Sequence, residues 1–240
     1  MIRDKGSQQA MIKLISTSDF IPKLRNILND DSIILSEYEI FLPSKQVQKE
    51  VQLKNFLLDK FSGELKTQIV NWWIAEKPQF SNTPNWDFIS TCTVDGVKGL
   101  LLIEAKAHVQ ELKQEESGKR INNKSSELNH SKIEEAITQA KAELNVVYPE
   151  IKISRDKCYQ LSNRIAHAWW LANQGIPVVL VYLGFLNCED MNDCNRILFK
   201  KDEDWQECFR GHAKLVGAEK LIGEWVNCGK SRFMLISKSY

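Results

Sequence analysis

Asp87, Glu104 and Lys106 are the residues of this chain whose types and spacing could do chemistry as a unit. Two carboxylates held side by side repel each other. A hard divalent cation such as Mg2+ relieves that repulsion while taking oxygen ligands and keeping several waters. A lysine among them screens their field. The grouping follows from Asp95-Gly96, a strong hairpin signal, because both central positions of a type I′ turn need positive φ. If Val94 faces Val97 across that turn, stepping outward along both strands brings Asp87 opposite Glu104. Lys106 lies two residues past Glu104 and projects from the same face. A four-residue loop would keep the group, with Asp87 opposite Lys106, whereas a three-residue loop would pair Asp87 with Ala105 and scatter it.

The strands that must position these charges are apolar. Trp86, Phe88 and Val94 alternate with Ile89, and residues 100–103 run Leu-Leu-Leu-Ile without a polar break, the pattern of a strand buried on both faces. Acids and a lysine at the end of such a strand are costly unless paired or coordinating a cation. The sequence therefore keeps charge there for a use.

A Pro-x-x-Asp turn into one strand, followed by Glu-x-Lys at the end of an apolar neighbour, resembles the PD-(D/E)xK nuclease superfamily. The residues are Pro84, Asp87, Glu104 and Lys106, and the resemblance covers about residues 45–186. It implies a restriction-endonuclease-like fold and phosphodiester hydrolysis with Mg2+ or Mn2+. By the same resemblance, Asp87 and Glu104 hold the metal with the main-chain carbonyl of Ala105, and Lys106 orients or deprotonates the attacking water. Many members add a glutamate from the helix before the hairpin; Glu50 and Glu64 are the candidates, with Glu64 nearer in sequence. The segment Tyr159-Gln160-Leu161-Ser162-Asn163-Arg164 is similar to the region of RecB-type nucleases that carries Gln-x-x-x-Tyr. Gln160 is present and Arg164 stands at the tyrosine position, where its planar guanidinium would suit phosphate oxygens. Gln160 and Arg164 are thus expected substrate contacts. His108, facing as Glu104 and Lys106 do, is a further candidate.

At 240 residues, 43% hydrophobic and 26% charged, the chain suits one substantial domain or a core with an added part. It divides into an N-terminal extension (1–44), a nuclease-like core (45–186) and C-terminal helices and strand packed on that core (187–240). A net charge of +1 does not indicate a globally basic nucleic-acid binder, so any DNA contact must come from a local patch. The N-terminus lacks an apolar signal run, and the longest apolar stretch, residues 176–186, is too short to span a bilayer. The expectation is a cytoplasmic protein with no membrane partner that acts on nucleic acid, DNA first, with a homo-oligomer left open. Six cysteines at irregular spacing read as reduced thiols. Cys188, Cys194, Cys208, His212 and Cys228 lack a Cys-x-x-Cys pair and do not read as a zinc site. Residues 223–231 imitate a phosphate loop but have five residues between the glycines and precede a strand, which argues against nucleotide binding there.

Along the chain, periodicity predicts a helix from a Ser44 cap to about Gly63, with Val47, Val51 and Leu58 near one face, then a second stripe of Leu65, Ile69 and Trp72. Residues 111–130 are polar and aperiodic and read as a flexible loop; Lys113, Lys119, Arg120, Lys124 and nearby Lys132 could meet phosphates. Ser131-x-x-Glu134 is a capping box opening a helix over 132–145, and a second helix spans about 156–174. Residues 177–185 form a strand without alternation. Strand, helices, strand is a crossover, which sets this strand parallel to the one bearing Glu104. Helices near 205–215 and 218–226 and a strand over 232–237 complete the chain. The fold class is α/β, a mixed central sheet flanked by helices on both faces. The function read from this is Mg-dependent hydrolysis of nucleic acid; the alternative is a catalytically silent nucleic-acid- or protein-binding module on the same fold.

Overall fold

The Asp95-Gly96 turn decides the register of the sheet. In the computed structural model, which describes residues 5–44, 50–76, 81–120, 127–192 and 195–240, φ is 46° at Asp95 and 81° at Gly96, a conformation that glycine accepts without steric cost. Strands β5 (Phe88–Val94) and β6 (Val97–Lys106) pair as a two-residue hairpin, with Val94 facing Val97 and Phe88 facing Ile103. One step further out stand Asp87 and Glu104, as the shortest of the three loop lengths requires.

Strand β7 (Val178–Gly184) runs parallel to β6, and β9 (Ser231–Ser239) runs parallel to β7. The edge beyond β9 is β8 (Trp225–Cys228), antiparallel to it. At the other edge β5 pairs with two short strands, β1 (Ile33–Ile34) and β2 (Phe41–Leu42). The resulting order β1-β5-β6-β7-β9-β8 is a mixed sheet. Helices α5 (Val109–Glu115), α6 (Glu127–Leu144) and α7 (Tyr159–Asn173) cross from β6 to β7, and α8 (Asp202–Lys214) follows β7. Such helical returns are what let neighbouring strands run parallel.

Both faces of the sheet are covered. Helices α1 (Ser7–Ile15) and α2 (Phe20–Leu28) bring Met11, Leu14, Phe20 and Leu24 against Leu101, Ile103, Ala105 and Val181. On the opposite face, α3 (Leu53–Lys60) and α4 (Gly63–Trp73) join α6, α7 and α8, packing Phe56, Ile69, Ile137, Leu161 and Phe209 with Leu100, Leu102, Leu180 and Tyr182. Two covered faces explain why β6 and β7 show no polar alternation. Each leucine, isoleucine, valine, phenylalanine or methionine among these side chains contributes about 1.5–3 kcal/mol on burial. No helix among the described residues is long and apolar enough to cross a membrane.

Three elements depart from the sequence reading. Val51 and Gln52 form strand β3, paired with β4 (Asn85–Trp86), and the helix begins only at Leu53. Pairing with a segment distant in sequence overrides the helical period there; Val47 lies outside the described residues. The polar stretch after β6 is not a continuous loop: buried Leu112 anchors α5, and α6 begins at Glu127, so Ser131 is inside the helix rather than its cap. Lys124 lies outside the described residues. Residues 218–226 form a short 3-10 turn, Glu219–Leu221, and then β8 instead of a helix. Gly223, at φ 83°, redirects the chain into the sheet edge, its N–H donating to the carbonyl of Leu235.

Candidate active site

Asp87 stands between β4 and β5, and Glu104 and Lys106 stand at the end of β6. Leu100 and Leu102 face the layer of α6 to α8, so strand alternation turns Glu104 and Lys106 to that face as well. Asp87 reaches across to β6, where its Oδ2 accepts a hydrogen bond from the N–H of Ala105 at 2.8 Å. Because β5 begins only at Phe88, the carboxylate supplies the partner that a buried backbone donor requires.

Glu104 is the centre of the group. Its Oε2 accepts from Arg164 Nε at 2.9 Å and Nη2 at 2.6 Å. Its Oε1 accepts from Lys106 Nζ at 2.5 Å and from the Gln160 carboxamide. The roughly four acceptor positions of a carboxylate are thereby all engaged. Helix α7, returning over the sheet, brings both Gln160 and Arg164 to this carboxylate. Arg164 also donates to the carbonyl of Asn85 at 2.6 Å and to Asn163 Oδ1 at 3.0 Å, and its guanidinium lies 4.2 Å from the Trp86 ring centroid. With most of its five or so N–H groups turned inward, Arg164 positions Glu104. Arg164 also lines the cleft that opens over Asp87 and Glu104, where a phosphate contact was expected.

The Lys106 ammonium lies between two carboxylates, 2.5 Å from Glu104 Oε1 and 2.6 Å from Glu115 Oε1. Burial would lower its pKa, but Glu104, Glu115 and Asp87 hold it above the usual lysine value. Two carboxylates within 2.6 Å thus favour the ammonium form of Lys106 in this arrangement. Burial would raise the pKa of Glu104, yet Lys106 and Arg164 outweigh it and hold the carboxyl below its ordinary range. At Asp87, burial and then the charge of Glu104 push the pKa well up, against the opposing effect of Lys106. Burial raises Glu115 to about 7. Three acids, half-buried Asp87 with Glu104 and Glu115, thus face two buried cations, Lys106 and Arg164, which leaves room for one proton or one cation.

A cleft of about 350 Å3 opens over this group, walled by Glu50, Asn82, Asn85, Asp87, Glu104, Lys119, Tyr159, Gln160 and Asn163 among others. Lys119 has no carboxylate partner among the described residues; its ammonium lies 5.3 Å from the Tyr159 ring centroid, and burial lowers its pKa. Lys106 does not line the cleft and sits behind Glu104. Glu50 lines it, with its Oε2 3.3 Å from Asn85 Nδ2.

Two expected residues fall elsewhere. Glu64 lies in the exposed first turn of α4 and borders a separate hollow with Lys60, Gln68 and Lys98. Ser62 caps the helix there by accepting from the N–H of Leu65, and Lys98 marks the turn end of the hairpin, far from Glu104. His108 is buried at the start of α5, bridged to Leu198, and does not border the cleft. At Ala105 it is the N–H that meets Asp87. Sequence reasoning missed Glu115, since α5 was hidden in a polar run; the spacing of Val109 and Leu112 was the available signal. It also gave Trp86 no role beyond packing.

Among the described residues, no three His, Cys, Asp or Glu side chains converge as a ready cage for a metal ion. Asp87 and Glu104 remain a two-carboxylate pair, and among the described residues Asp87 accepts a hydrogen bond only through Oδ2. The open oxygen of half-buried Asp87, beside the carboxylate of Glu104, suits a hard cation held by one or two carboxylates and waters, as Mg2+ is commonly bound. No family model, no curated protein and no solved structure matches this chain.

Proposed function

We propose that the chain is a nuclease that hydrolyses phosphodiester bonds of nucleic acid, DNA first, with Mg2+ or Mn2+. One observation carries the reading: Asp87 and Glu104 come together from adjacent strands at a polar cleft, with Lys106 bonded to the same glutamate. Asp87 would hold the cation through its open oxygen, and Glu104 would join it by giving up one of its present bonds to Lys106, Gln160 or Arg164. When bound, such a cation lowers the pKa of a water and offsets the charge that builds on phosphate oxygens. Lys106, behind Glu104 and outside the cleft lining, would act through that glutamate by donating to its Oε1. Lys119 offers the cleft wall a positive charge for a phosphate. Gln160, Arg164 and the Ala105 N–H hold the two carboxylates in place.

The test is incubation with duplex DNA, single-stranded DNA and RNA in Mg2+, Mn2+ or EDTA, beside Asp87→Asn. That variant is nearly isosteric and keeps an oxygen for the Ala105 N–H. Metal-dependent cleavage by the wild type that disappears in Asp87→Asn supports the reading; no cleavage, or cleavage indifferent to metal, overturns it.

The filled acceptor positions of Glu104 favour a second reading, in which the ion network is closed and the cleft binds nucleic acid or protein without turnover. It predicts binding in the same assays with no product, and a melting temperature indifferent to Mg2+.

A further inference from the structure

On the side of Lys106 away from the cleft lies a second polar group that the proposed reaction does not use. Glu115 extends from α5 and His212 from α8, with His212 Nε2 3.6 Å from Glu115 Oε2 and both side chains less than a tenth exposed. Tyr182, on β7, is fully buried nearby. Both Glu115 oxygens, both ring nitrogens of His212 and the Tyr182 hydroxyl are buried without an aligned hydrogen-bond partner among the described residues. Buried polar atoms are seldom left so, and a cluster of them calls for a reason.

The reason is in the charges. Lys106 is the cation that Glu115 meets, at 2.6 Å. Burial, with Lys106 adding to it, lowers His212 to about 4, so the imidazole is a neutral wall and not a rival cation. A lysine has a flexible four-carbon stem, and its other partner, Glu104, is already held by Arg164 and Gln160. Glu115 is therefore the carboxylate whose contact is to Lys106.

We propose that Glu115 is a positioning residue for Lys106, holding its ammonium behind Glu104, while His212 and Tyr182 keep water from the pair. The catalytic consequence rests on the nuclease reading; the placement of Lys106 does not.

The test is native-state reductive methylation with formaldehyde and cyanoborohydride, read by mass spectrometry at Lys106, with buried Lys54 as internal control. In Glu115→Gln, which keeps the shape and removes the charge, labelling of Lys106 is expected to rise several-fold while Lys54 is unchanged. A smaller rise is expected in Glu115→Asp, which keeps the charge but draws it back, and this variant serves if the first does not fold. Unchanged labelling of Lys106 in a folded variant overturns the proposal. On nucleic acid, Glu115→Gln should lower kcat by about 10- to 100-fold, as loss of a supporting residue does, with KM nearly unchanged. Cleavage at the wild-type rate overturns the proposal as well. If the wild type does not cleave at all, the nuclease reading falls, and the labelling still decides where Lys106 is held.

Discussion

Arg164 closes on Glu104 through two donors to a single oxygen, Nε at 2.9 Å and Nη2 at 2.6 Å, and so ties α7 to the end of β6 by a buried ion pair. Only 3% of Arg164 and 3% of Glu104 is exposed, so neither charge has water to fall back on.

Arg164→Met should therefore destabilise the fold by about 3–5 kcal/mol, the cost of leaving a buried charge unpaired. Urea unfolding at neutral pH measures it. Arg164→Lys should recover only part of the loss, because an ammonium cannot reproduce the fork to Glu104 together with the bond to Asn85. Full stability in Arg164→Met would mean that Glu104 is compensated from elsewhere.

Lys106→Ala removes the cation shared by Glu104 and Glu115, and a cost of about 3–5 kcal/mol is expected from the same cause. Cleavage should vanish too, so activity must be measured well below the variant's melting temperature. An active Lys106→Ala would remove this lysine from the mechanism.

Mg2+ should raise the melting temperature of the wild type, since a ligand bound only by the native state stabilises it by about 2.7 kcal/mol at a concentration near 100 Kd. Differential scanning calorimetry with Mg2+ and with EDTA reads the shift. Asp87→Asn should erase it; a shift that survives that substitution places the cation elsewhere.

His167 gives the fold an acid sensitivity of its own. It packs against Trp72 and Trp73, with ring centroids 5.2 and 4.3 Å away, and its Nδ1 lies 2.8 Å from the carbonyl of Asn163. Burial is the main reason that its pKa falls to about 3 from an ordinary 6.5. Between those values the unfolded chain binds a proton that the folded protein does not, so this contribution is present above pH 6.5 and is lost as pH falls toward 3. Between pH 6.5 and about 5, wild type should lose about 2 kcal/mol more than His167→Phe. Other groups titrate alike in both proteins, so the difference isolates His167; equal losses would show that it takes up its proton without unfolding.

Gly96→Ala should cost about 1–2 kcal/mol, the penalty of a left-handed conformation for a residue with a Cβ. No heavy atom lies within 4 Å of where that Cβ would stand, so the cost is conformational and the register should hold. Thermal unfolding measures the cost, and a retained Mg2+ shift would show that Asp87 still faces Glu104.

The meeting of Asp87 with Glu104 was legible in the sequence because a two-residue turn and a side-chain period of two leave little freedom: once Val94 faces Val97, the outer residues follow. The parallel β7 was legible for a similar reason, since helices between two apolar strands dictate a crossover. Residues 51–52, read as helix, became a strand because their partner, Asn85–Trp86, is distant in sequence and its pairing outweighs a weak local period. Glu115 lay in a run of polar residues whose short helix buries Leu112 and packs Val109 against the core.

The amino-acid sequence by itself determined the hairpin, its register and the pair of acids at its end, because these depend on local backbone geometry. Which charges neutralise those acids depends on how α5, α7 and α8 settle on the sheet. Only the tertiary structure decided that Arg164 turns inward to Glu104, that Lys106 sits between Glu104 and Glu115, and that Glu64 lies at the opposite end of the hairpin. Charge pairing in a buried site is set by distances between elements far apart in the chain, and no local pattern encodes those distances.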